Sequence, residues 1–96
     1  MFILSSSKEG IYESDCFERI LIIEKPDAFI VSGFISEDKK PSTLGKYADR
    51  KEAQEVLYEL FFAISGGQTH FEMPDSRIFH EQWTIYDART KRKGGS

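Results

Sequence analysis

The stretch TLGKYADRKEAQEVLYELFFAISGGQTHFEMP, residues 43–74, carries the strongest structural signal in the chain. Its centre reads as an amphipathic helix over residues 50–65. Asp49 can cap that helix, and Glu52, three residues on, can reach back to the cap's own N–H, which makes a capping box. Ala53, Val56, Leu57, Leu60, Phe61 and Ile64 recur at the spacing of one face of a 3.6-residue period. The helix should therefore lay this stripe, centred on Leu57 and Leu60, against a sheet. Gly66 and Gly67 end it, because glycine takes the left-handed conformation of a helix C-terminus without steric cost. Tyr58 and Phe62, one turn apart, point away from the stripe.

Working outward, residues 43–47 read as a short strand that delivers the chain to the cap, and residues 70–73 as a closing strand stopped by Pro74. Phe2, Ile3 and Leu4 start a strand that the serine run at 5–7 and Gly10 interrupt, with Ile11 and Tyr12 resuming beyond the turn. Residues 17–24 (FERILIIE) are β-branched and apolar through the middle, as in a strand covered on both faces. Pro26 and Asp27 make a turn, and residues 28–35 (AFIVSGFI) return as its antiparallel partner, with Gly33 marking a bulge or a close contact. The expected architecture is α+β: an antiparallel sheet of about five strands with one amphipathic helix packed on a face. Residues 1–74 form the domain, residues 75–88 a C-terminal extension packing on the domain or on a partner subunit, and residues 89–96 a basic flexible tail. Within the extension, Asp75 can cap a helical turn, while residues 83–86 (WTIY) have strand composition.

Ninety-six residues make one domain that needs no staple. The single cysteine, Cys16, and the lack of an apolar leader segment point to a reducing cytoplasm. The four cations within residues 89–96 turn a net charge of −3 into −7 over residues 1–88. An acidic body disfavours direct binding to nucleic acid, and nothing is long enough to span a membrane.

Catalytic motifs are missing from the pattern. Cys16 has no partner cysteine and no neighbouring base. His70, Glu72, His80 and Glu81 could converge on a metal, but His70 and Glu72 share a strand face merely by alternation and two histidines without a cluster are a weak signal. The diglycine follows the helix, where it caps a C-terminus and cradles no phosphate. The expectation is a protein that is not an enzyme and carries no metal or cofactor.

The run Leu44-Gly45-Lys46-Tyr47, Glu52-Ala53 and Glu55-Val56-Leu57, followed by Phe71-Glu72-Met73-Pro74, resembles a family of very small proteins encoded by Gram-positive bacteria, their phages and mobile elements. Their pattern is an N-terminal hairpin, an LGxY strand, a capped helix and a closing Met-Pro strand. The resemblance implies this fold and a phage-type provenance, and no functional residue is carried over from it. The aromatic-rich extension past Pro74 departs from the pattern.

These readings converge on a non-enzymatic binding protein in the host cytoplasm that antagonises host defence. It would sequester a nucleotide-type signal at subunit interfaces, with Tyr47, Arg50, Lys51, Trp83 and Tyr86 as candidate ligand contacts: rings to stack a base, cations to pair a phosphate. The alternatives are a protein-blocking inhibitor that meets a defence nuclease or effector through its acidic surface, and a structural accessory protein. Tyr58, Phe62, Phe79 and Trp83 are the candidate homo-oligomer contacts, because the chain holds more apolar residues than one helix on one sheet can bury. For Tyr58 and Phe62 the competing expectation is burial under the C-terminal extension.

Overall fold

The computed structural model describes residues 1–36 and 39–76. Its strands are β1 (Phe2–Leu4), β2 (Ile11–Glu13), β3 (Arg19–Lys25), β4 (Ala28–Phe34), β5 (Ser42–Tyr47) and β6 (His70–Glu72), with α1 (Arg50–Ser65) between the last two. The class is α+β as expected, but the strands form two three-stranded sheets, β2-β1-β6 and β3-β4-β5, in place of one sheet of about five. The first strand causes the difference. β1 pairs antiparallel with β2 and parallel with β6, setting Phe2 opposite His70 and Leu4 opposite Glu72. With both its edges taken, β1 has none left for β3–β5.

In the larger sheet, Pro26 and Asp27 form the two-residue connection that places Lys25 opposite Ala28. β5 carries one extra residue: Val31 faces Gly45 while Ser32 faces Thr43, so Leu44 is bulged. The Leu44 carbonyl accepts from the Ser6 N–H at 2.8 Å, and the Lys46 N–H donates to Ser6 Oγ at 3.3 Å. The bulge thereby ties the two sheets together. Gly33 serves instead as the close contact. A Cβ there would lie 2.7 Å from the Phe17 ring, so only glycine lets that ring lie flat on β4.

The helix begins as read. The Asp49 carboxylate accepts from the Glu52 N–H at 2.8 Å. The return bond lands one residue early, because the buried Glu52 carboxylate accepts from the Ala48 N–H at 3.3 Å and also from Ser76 Oγ at 2.5 Å. Residue 76, expected in an extension, is thus buried against the first helical turn. At the other end Gly67, at φ +73°, is the left-handed residue. Its N–H reaches the Ile64 carbonyl at 3.2 Å, and the Gln68 N–H reaches Ala63 at 3.1 Å, which is a Schellman closure.

The helix phase differs from expectation. Ala53, Val56, Leu60 and Ala63 are buried, packed toward Ile3, Val31, Leu44, Tyr47 and Met73. Leu57 is half-buried, and Phe61 and Ile64 are exposed. The helix touches β4, β5 and the edge strand β3, and the flank of the stripe on the β3 side, with Phe61 and Ile64 exposed, stands over the edge of the sheet. Alanine at 63 and the satisfied carboxylate at 52 take core positions that a search for large apolar residues passes over. Among the described residues no helix is long and apolar enough to cross a membrane.

Candidate binding groove

The overhang leaves a groove of about 890 Å³ between α1 and the edge strand β3. Strand alternation supplies its floor. Ile20 and Ile22 turn toward the helix, joined by Phe17 on its glycine seat, while Arg19, Leu21 and Ile23 turn to the other face of the sheet. Leu57, Phe61 and Ile64 form the helical wall. Tyr58 stands at the rim with its ring 6.2 Å from that of Phe62, and Phe61 lies 5.5 Å from Phe62. The crest of α1 thus presents a row of three exposed rings directly beside an apolar trough.

The electrostatics of the groove are one-sided. Asp15 and Glu18, both exposed, are among its lining residues. Arg19 is the one cation among its described lining residues, and its guanidinium sits 4.9 Å over the Phe34 ring on the far face. Apolar walls with two carboxylates in the lining suit hydrophobic side chains better than phosphate. Its described lining holds no histidine or cysteine and no nucleophile paired with a base.

Of the expected ligand contacts, Tyr47, Arg50 and Lys51 lie among the described residues. Tyr47 is fully buried, with its hydroxyl on the Pro74 carbonyl at 2.8 Å, so its ring has no open face for a base. Arg50 lies over the Phe29 ring at 5.3 Å and within 3.4 Å of Glu24 Oε1. Lys51 is exposed on the first helical turn, beside an N-terminus that Asp49 already caps. Trp83, Tyr86 and Phe79 lie outside the described residues, as does the second histidine, His80. Tyr58 and Phe62 are exposed on the crest of α1.

Glu72, weighed above beside His70, pairs with Lys8 Nζ at 2.6 Å. That hydrogen bond and charge hold its carboxyl below the ordinary range. His70 contacts Thr69 Oγ1 at 3.2 Å. Among the described residues no three His, Cys, Asp or Glu side chains come together to hold a metal ion. Burial, reinforced by the nearby Glu52, Asp75 and Glu59 charges, pushes the Tyr47 phenol far above its ordinary value.

In the sequence, Phe17, Ile20 and Ile22 show the pattern of a strand and belong to the apolar surplus that calls for a partner surface. The signal that would have found them is the pairing of their alternation with the overhanging Phe61. No family model, curated protein or solved structure matches this chain.

Proposed function

We propose that the chain is a non-catalytic protein-binding module acting through the crest of α1 and the groove beside it. In the phage or mobile-element setting that the sequence resemblance implies, the fitting role is antagonism of a host-defence effector by covering one of its surfaces. One observation carries the reading: three exposed rings flank an apolar groove of about 890 Å³, and the one cation among its described lining residues is turned away. Rigid aromatic anchors beside a trough are what an interface core uses.

The rival mode, sequestration of a nucleotide-type signal, needs a cation to pair a phosphate where rings stack the base. The groove offers the rings, but its described lining holds two carboxylates, Asp15 and Glu18, against the single cation Arg19.

A photo-reactive side chain placed at Tyr58 or Phe61, in the full chain expressed in its host, tests the reading. Cross-links to protein from these two positions, and none from Thr43 on the opposite side of the sheet, are expected. Absence of protein cross-links from position 58 or 61, with a small molecule retained by the purified chain, would overturn it.

A further inference from the structure

We infer that the first occupant of this surface is a second copy of the chain, docked two-fold so that Phe62 of each copy enters the groove of the other. The inference rests on the protein-binding reading above and names the partner. A two-fold interface is isologous: whatever protrudes must sit next to the recess that receives it, on one face of one molecule. Here the stacked pair Tyr58 and Phe62 forms the protrusion, and the trough floored by Ile20 and Ile22 forms the recess, on adjoining faces of the same helix. A two-fold axis crossing near the middle of α1 sets each crest against the other copy's trough.

The areas agree with a stable pair. Tyr58, Phe61 and Phe62 are 65%, 58% and 63% exposed. At roughly 150–250 Å² for each such side chain, they leave roughly 300–450 Å² of ring surface open per copy. A specific interface buries about 800 Å² on each partner, somewhat over half of it apolar. The three rings with Ile64, 44% exposed, therefore supply nearly the whole apolar share, and the groove mouth supplies polar rim.

Sedimentation velocity of the full chain across a concentration series tests this. A dimer is expected, weakened at least tenfold by Phe62→Asp and left unchanged by Phe2→Asp, an equally exposed ring position on β1 outside the proposed interface. Both variants should keep the parent's thermal midpoint; if Phe62→Asp fails to fold, Tyr58→Glu takes its place. A chain that stays monomeric at every concentration, with position 62 shielded by residues 77–96 or simply bare, overturns the inference. So does a dimer that Phe2→Asp weakens and Phe62→Asp does not. A monomer that still cross-links a different protein from position 58 sinks only the second-copy assignment, and the protein-binding reading survives.

Discussion

The hydroxyl of Tyr47, the last residue of β5, donates to the carbonyl oxygen of Pro74 at 2.8 Å. A buried ring at the end of one sheet thus holds the segment that leaves the other. Gly45 makes this possible, since any side chain there would overlap the Tyr47 ring. Replacing Tyr47 by Phe leaves the ring and strands its acceptor, and should cost about 1–3 kcal/mol. A urea midpoint equal to the parent's would refute the role given to this bond.

Alkali should expose the same residue. The folded value of Tyr47 lies above the unfolded one, so its contribution is fully present below about pH 10, the ordinary tyrosine value, and is lost as pH rises beyond it. A spectrophotometric titration should leave one of the four tyrosines un-ionised until the chain unfolds. In Tyr47→Phe the remaining three should titrate without that coupling.

The helix phase can be checked by a pair of truncations. Leu60 is buried, and Leu60→Ala should cost about 2–5 kcal/mol. Phe61, more than half exposed, should cost under about 1 kcal/mol when cut to alanine. Equal losses in denaturant titrations would mean that the overhang is misplaced.

The helix ends give a further pair. Asp49→Ala removes the acceptor of the Glu52 N–H and should cost about 0.5–2 kcal/mol. Gly67→Ala forces a Cβ into the left-handed region and should cost about 1–2 kcal/mol. Both are read from thermal midpoints, and a neutral result at either end would count against that closure.

Lys8 and Glu72 link the β1–β2 loop to β6. Because the Glu72 value is depressed on folding, its contribution is present above the ordinary glutamate range and disappears as pH falls through the folded value. In an NMR titration the Glu72 carboxyl should have its midpoint below the ordinary glutamate value, and Lys8→Ala should raise it toward that value. Unchanged titration in the variant would show that the pair does not act in solution.

Local signals in the chain proved legible, and distant pairings did not. The cap at Asp49, the glycine closure and the turn at Pro26 and Asp27 each depend on neighbours a few residues away, and sequence alone locates them. The parallel pairing of Phe2 with His70 spans most of the described chain and leaves no periodic mark, so the sequence pattern does not separate two sheets from one. In the sequence Tyr47 looks like an available ring, because its place between strand and cap is the same whether it faces solvent or core. Its register opposite Phe29 decides the matter in favour of the core. The groove was hidden for a related reason: Phe61 belongs to the apolar stripe, and only the seat of the helix over β4 and β5 turns it outward.

Native mass spectrometry of the full chain, purified gently from the cells that express it, tests the central claim of a protein-binding surface most directly. The expected spectrum shows the chain in a protein complex, with itself or with a second polypeptide, that Phe62→Asp dissociates. A bare monomer, or a monomer that carries a small molecule and is indifferent to Phe62→Asp, would contradict it.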